Sequence, residues 1–304
     1  MKIIALVCLL LLSQLLPAQT SIIVLGTIQD AGSPQIGCTK DCCKNLFINP
    51  DHSRQVVALG LFDPSTKTSY LFEATPNINT QLRQLKNNSK SLTDLPNGIF
   101  LTHAHIGHYT GLMFLGKEAL NAKNLPVYAM PKMKNFLEQN GPWSQLVSQQ
   151  NILIQPLANQ QAITLNDSLS VTPILVPHRD EYSETVGYLI SGPRKKLLFI
   201  PDIDKWEKWN QDINALINQV DYALIDATFY DASEINNRPI SEIPHPFVIE
   251  SMDQFKMMSL RDKKKIHFIH FNHTNPLLNS HSEAFKKVIK AGFNIAKAGQ
   301  QFTL

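Results

Sequence analysis

Short apolar runs rich in branched and aromatic residues recur along the chain. They are bounded by Gly, Pro, Asn and Asp, the pattern of strands closed by turns. The runs are SIIVLG (21–26), RQVVALGLF (54–62), SYLFEA (69–74), GIFLT (98–102), LSVTPILVP (169–177), TVGYLI (185–190), KLLFIP (196–201), YALIDA (222–227) and IHFIHF (266–271). Between them the apolar positions switch to helical spacing in NINTQLRQLKNN (77–88) and HSEAFKKVIKAG (281–292), the latter ending at Gly292. PKMKNFLEQN opens on Pro131, which suits a first helical turn, and HPFVIESMDQFK predicts a helix beginning near Pro246. Early strands followed by alternating helices and strands predict an α/β protein of two sheets with outer helical layers.

The first twenty residues break this pattern. MKIIALVCLLLLSQLLPAQT has one Lys, an unbroken apolar run from Ile3 to Leu12, then small and polar residues. That is the anatomy of a secretory signal peptide, too short for a comfortable membrane span. Residues 1–20 are therefore expected to be a leader cut between Ala18 and Ser21, and 21–304 one domain. The mature protein is expected to be exported, periplasmic or extracellular, with no membrane contact after cleavage.

With 43% hydrophobic and 17% charged residues, the 304-residue chain has the composition of a globular enzyme that folds without disulfide staples. A formal charge of +3 and one short basic run, Lys263–Lys265, read as a solvated turn, give no nucleic-acid footprint. Oligomeric state leaves no mark in the pattern.

Two clusters carry chemistry. After the loss of Cys8, the cysteines Cys38, Cys42 and Cys43 remain, an odd number that cannot all pair within one chain. A thiolate-bound metal accounts for all three, given a fourth ligand elsewhere. In FLTHAHIGHYTG, His103, His105 and His108 follow a predicted strand at i, i+2 and i+5. A loop leaving a strand aims alternate side chains at one point, and the next helix returns the third; neutral imidazoles suit zinc and iron. His178, Asp202, Asp226 and His270 also stand at or just past predicted strand ends, where α/β proteins assemble their sites.

The segment His103-Ala104-His105-Ile106-Gly107-His108 resembles the His-x-His-x-Asp-His signature of the metallo-β-lactamase superfamily. His178 in LVPHRDE, Asp202 in LLFIPDID and His270 in HFIHFNHTNP follow in that family's order. Within the superfamily, VLGTIQDAGSPQIGC, PHRDEYSETVGYLI and FIHFNHTNPLL look closest to the branch of pyrroloquinoline quinone (PQQ) biosynthesis protein B, with phosphonate-breakdown phosphodiesterases similar too. The resemblance, from residue 21 onward, implies an αββα sandwich of two mixed sheets with a metal site on one edge. It implies a first pocket of His103, His105 and His178, a second containing His108 and His270, and Asp202 bridging them. It also implies a structural zinc on Cys38, Cys42, Cys43 and His273, although these cysteines are spaced x3 then adjacent where C-x-C-x2-C is usual. Gly107 stands where the family has the second pocket's acid. Three outcomes stay open: one metal only, replacement by Asp30, Asp180 or Glu181, or a water in the acid's place. Zinc is the expected ion, one structural and one or two at the edge, with iron and manganese also admitted by that donor set.

A metal with an open position lowers the pKa of water from about 15.7 to about 7. Hydroxide held beside Asp202 could then attack a phosphoryl or carbonyl centre. His245 in EIPHPFVIE is the candidate general acid, with a structural loop histidine as the alternative. Arg179 suits either an anionic substrate or a pairing with Asp180 or Glu181, and Asp226 either orients a ligand imidazole or caps a turn. The leading reading is an exported metal-dependent hydrolase of a small-molecule ester, phosphodiester or lactone. The second is a PQQ-branch protein performing an iron-dependent oxidative step or carrier role, and the third is a metal- or ligand-binding protein without catalysis. The absence of a G-x-S-x-G elbow argues against a serine hydrolase.

Overall fold

The computed structural model describes residues 19–89, 93–235 and 242–304; the leader expected at 1–20 lies almost wholly outside them. Among the described residues the strands form two seven-stranded sheets. The first contains β1 (Ser21–Gly26), β2 (Ala58–Asp63), β3 (Thr68–Phe72), β4 (Gly98–Phe100), β5 (Leu125–Ala129) and β6 (Ile152–Pro156) in that order, with β14 (Gln301–Thr303) outside β1. The second runs from β7 (Ile163–Asn166) through β8 (Leu169–Leu175), β9 (Val186–Ser191), β10 (Lys196–Ile200), β11 (Tyr222–Asp226) and β12 (Ile266–Ile269) to β13 (Asn294–Ile295). Both sheets are mixed. β1, β2 and β3 pair antiparallel while β3 to β6 are parallel. β7 to β10 are antiparallel while β10 to β13 are parallel.

Both faces of the central strands are buried, which is why those strands read as nearly continuous apolar runs. Ile22 and Val24 face the other sheet beside Phe72, Phe100, Tyr188 and Phe199, whereas Ile23 and Leu25 face the helices at Ile78–Ser89 and Pro131–Gln139. On the second sheet, Leu198 and Ile200 lie under the helices at Val248–Gln254 and Glu283–Lys290. The layers are therefore helix, sheet, sheet, helix. Between the sheets, Phe100 stacks on Tyr128 at 4.2 Å and on Phe72 at 5.0 Å, and the Tyr188 hydroxyl donates to the Leu101 carbonyl.

Several local expectations shift. RQVVALGLF is a strand only from Ala58, because Val56 instead bridges Ile28. The helix predicted near Pro246 starts at Val248, and the Phe247 N–H donates to Glu250 Oε2 at 2.8 Å. Lys263 closes a short helix, Leu260–Lys263, so only Lys264 and Lys265 form the turn. Strands β5, β6, β7, β13 and β14 carried no clear signal; Pro126 and Pro156 break two of them, and the others are two to four residues long. No described helix is long and apolar enough to cross a membrane.

Candidate metal centre

The carboxyl ends of β4, β8, β10, β11 and β12 meet on one edge. Past β4, Thr102 and His103 leave the strand, His105 precedes the helical turn Ile106–Tyr109, and that turn carries His108 back inward. The Ala104 N–H donates to Ser183 Oγ at 2.8 Å, tying this loop to the one that follows His178.

His103, His105, His178 and Asp202 bring four donor atoms together. His103 Nε2 lies 2.8 Å from His105 Nδ1, and His178 Nε2 lies 3.3 Å from the same atom. Asp202 Oδ2 is 3.3 Å from both His103 Nε2 and His178 Nε2. Bonds of about 2.0–2.1 Å to tetrahedral zinc would space nitrogen ligands about 3.3–3.4 Å apart. The outer ring nitrogens are held in place: His103 Nδ1 is 2.9 Å from Thr102 Oγ1, and His178 Nδ1 is 3.1 Å from Asp204 Oδ1. Such partners fix the tautomer and ring orientation of a metal-binding imidazole.

A second group, Asp30, His108, Asp202 and His270, lies alongside. Asp30 Oδ1 is 2.8 Å from His108 Nε2 and 3.4 Å from His270 Nε2. His108 Nδ1 turns outward to Glu73 Oε1 at 3.2 Å, and His270 Nδ1 lies 2.9 Å from Thr228 Oγ1. Glu73 and His270 both occupy the left-handed region, at φ 76° and 69°. Strain of this kind in non-glycine residues collects at functional sites. Asp180 instead accepts from Thr185 Oγ1 at 3.0 Å, away from this pocket.

His245 and Asp226 form a third element beside Asp202. His245 Nδ1 is 2.9 Å from Asp226 Oδ2 and 3.1 Å from Asp202 Oδ1. Asp226 also accepts from the backbone N–H of Ile203 and Thr228 and from the Thr228 hydroxyl, so it joins the turn after β11 to the site. Among the described residues the Nε2 of His245 has no hydrogen-bond partner, and the ring borders a cleft of about 540 Å³ that Arg179 also lines. Arg179 is exposed, 3.7 Å from Glu181, and Glu181 lies 3.4 Å from His105 Nε2. Arg179 thus pairs with Glu181 and not with Asp180.

The electrostatics test whether cations fit. Asp30, Asp202, Asp226 and Glu73 are all mostly or wholly buried, and their ion pairs are all with histidine. Burial of a bare carboxylate costs on the order of several kcal/mol, so positive charge must come from protonated imidazole or a bound cation. Burial pushes against the charged form of Asp202, but the His178 and His245 rings outweigh it and hold the carboxyl well below its usual range. Burial likewise opposes charge on His178, yet Asp202 raises its pKa to about 9. His103 goes the other way: burial, then the charge of His108, hold it well below 6.5 and neutral, the form that binds metal. His108 Nε2 and Asp202 Oδ1 are buried, close to charged partners, but without an aligned hydrogen bond. Clustered acids and inward nitrogens and oxygens without aligned hydrogen bonds fit divalent cations in both pockets, and neutral His103 suits the first, while a cation in the second would take the place of the protons that Asp30 and Glu73 draw onto His108.

The cysteine cluster is separate. Cys38, Cys42, Cys43 and His273 bring their donor atoms within 4.8 Å of one another. The Sγ atoms of Cys42 lie 3.9 Å from those of both Cys38 and Cys43, and all three thiols are free. Zinc–sulfur bonds of about 2.3 Å would give separations of about 3.8 Å. Burial, with Cys38 alongside, pushes the Cys42 thiol up to about 12, as expected of crowded sulfurs without a cation. Despite the altered spacing, the helical turn Asp41–Lys44 brings adjacent Cys42 and Cys43 to one centre.

Glu73, Asp204, Thr102 and Thr228 were not anticipated from sequence. Asp204 has a faint signal, a second acid two residues after Asp202 in PDIDK. Glu73 looks like an ordinary charged end to an apolar strand.

A two-sheet sandwich with paired donor pockets sharing one aspartate on its edge defines a metallo-β-lactamase type of fold. The chain belongs to that superfamily: the family model described as beta-lactamase superfamily domain matches residues 61–271. It is similar to coenzyme PQQ synthesis protein B of Nitrosococcus oceani, 26% identical with 92% of this chain and 99% of the relative covered. The same protein from Methylococcus capsulatus is 24% identical over the same shares. Among solved structures, Zn(2+)-bound PqqB from Methylobacterium extorquens superposes with a TM-score of 0.76 at 21% identity, covering 93% of this chain and all of that one. A diphosphatase of the PhnP family reaches 0.63 at 18% identity, covering 94% and 98%.

Proposed function

We propose that this chain is a PQQ synthesis protein B-like enzyme that binds two metal ions at the edge site and uses them to hydrolyse a small-molecule ester, phosphodiester or lactone. The observation that carries the hydrolytic reading is the pair of pockets sharing Asp202, with His245 beside them at the cleft. His103, His105, His178 and Asp202 would hold one ion, and His108, His270, Asp202 and an additional acid the other. Ions held there would lower the pKa of water to about 7 and polarise the oxygen under attack. Asp226 orients His245 through Nδ1 and favours its imidazolium, leaving Nε2 to give a proton to the leaving group. Arg179, at the mouth, offers a cation to an anionic substrate. The Cys38, Cys42, Cys43 and His273 cluster would hold a structural zinc.

The near full-length kinship with PQQ synthesis protein B favours a second reading, an iron-dependent oxidation or a carrier role in that pathway. Elemental analysis of protein prepared without chelator, beside His103→Ala, separates the two. Zinc or manganese with turnover of a bis-aryl phosphodiester or ester supports hydrolysis. Iron with oxygen consumption and no ester turnover supports the oxidative reading, and no edge metal defeats both. We also propose that the mature protein is exported, on the strength of Lys2 followed by Ile3–Leu12. Sequencing the N-terminus of protein recovered outside the cytoplasm tests this, and an intact Met1 there would count against cleavage.

A further inference from the structure

We propose that the acid missing from the histidine motif has moved: Asp30, from the segment after β1, is a metal ligand of the second edge pocket, and Gly107 lacks a side chain because Asp30 occupies its place. This deepens the two-metal reading above and rests on it.

Three observations carry it. The first is space. A Cβ built on Gly107 would come 2.5 Å from Asp30 Oδ1, 2.9 Å from its Cγ and 2.6 Å from its Cα. The last is backbone and cannot swing away, so the segment that carries Asp30 into the pocket leaves no room for a side chain at 107.

The second is aim. Asp30 Oδ1 is 2.8 Å from His108 Nε2 and 3.4 Å from His270 Nε2, on the side where Asp202 Oδ2 stands 3.9 Å from His108 Nε2. His108 Nε2 is buried and faces Asp30 Oδ1 without the alignment of a hydrogen bond. One cation among Asp30, His108, Asp202 and His270 would engage all four inward atoms.

The third is fixity. The Gln29 N–H donates to the Phe271 carbonyl at 2.9 Å and the Phe271 N–H to the Thr27 carbonyl at 2.8 Å. Ile28 bridges Phe271 on one side and Val56 on the other. Asp30 therefore leaves a backbone clamp that also positions neighbouring His270, as a ligand from outside the motif must to be pre-set.

The test is metal content per chain with a folding control. Asp30→Asn keeps shape but removes a strong anionic donor. It should leave the chain folded by circular dichroism, lose one metal ion relative to wild type, and weaken the second-pocket affinity for zinc by more than about 100-fold, above the usual range for partners outside the coordination sphere. Gly107→Asp should lower the melting temperature and lose that ion through the clash. If wild type carries the second edge ion and Asp30→Asn keeps it at unchanged affinity, the inference is overturned while the two-metal reading stands. If wild type carries only one edge ion, both fall.

Discussion

The two pockets on the edge share Asp202 but are assembled differently. The first draws His103 and His105 from one loop after β4 and His178 from the end of β8, and its rings are steadied by Thr102 and Asp204. The second takes only His108 from the same loop. His270 comes from the far end of the chain, Asp30 approaches from its beginning, and the bracing falls to Glu73 and Thr228. A pocket with two of its four ligands on one loop depends less on how distant segments meet. One closed by segments from both ends of the domain depends on how well those ends are clamped, and it can exchange one ligand for another without disturbing its neighbour.

Asp202 is where this contrast should vanish, because both pockets use it. Asp202→Ala should release both edge ions and leave the cysteine cluster loaded. It also takes one buried counter-charge from His178 and His245, which keep Asp204 and Asp226 as partners, so the destabilisation should fall below the roughly 3–5 kcal/mol typical of a buried pair that loses one member. Elemental analysis and a thermal melt check this; retention of either edge ion would mean that Asp202 serves only the other pocket.

Loss of the His245 imidazole should lower activity while both pockets stay loaded. His245→Asn is expected to reduce kcat by about 10²–10⁴-fold, the usual contribution of a general acid. The metal count should stay unchanged, and the high-pH limb of the rate profile should flatten. An unchanged kcat would return His245 to a structural role in the turn before Val248.

The bracing residues set the pockets against each other directly. Asp204→Asn should weaken metal binding in the first pocket and Glu73→Gln in the second, each by about 10–100-fold. Competition with a graded series of chelators reads the two affinities separately. If both variants loosened the same ion, the division into locally and remotely braced pockets would be wrong.

The same division explains what could be read in advance. The sandwich was legible because strands buried on both faces leave long apolar runs, as in KLLFIP and YALIDA. The short edge strands were not, because Pro126 and the partly exposed ITLN look like loop. The histidine cluster shows itself through local spacing. The approach of Asp30 to Gly107 depends on how β1, β2 and the segment after β12 cross, and no local pattern encodes that. Asp30, Asp180 and Glu181 were equal candidates by motif, and only the fold separates them. Glu73 was invisible because its value lies in the ring it faces, not in its neighbours along the chain.

The smallest effect concerns protons in the metal-free protein. The pKa of His178 is raised to about 9 by Asp202, against the opposing effect of burial. A group whose folded pKa lies above its unfolded value adds stability that is complete below the unfolded value of about 6.5 and fades as pH rises through the folded one. Protein stripped by chelator should therefore lose melting temperature between about pH 6.5 and 9. Protein with the first pocket loaded should not, because a bound ion takes neutral imidazole and replaces the proton as partner to Asp202. The gap between the two melting curves should widen with pH across that window. Curves that stay parallel would mean that His178 is already neutral without metal, and that the first pocket is preformed electrostatically as well as geometrically.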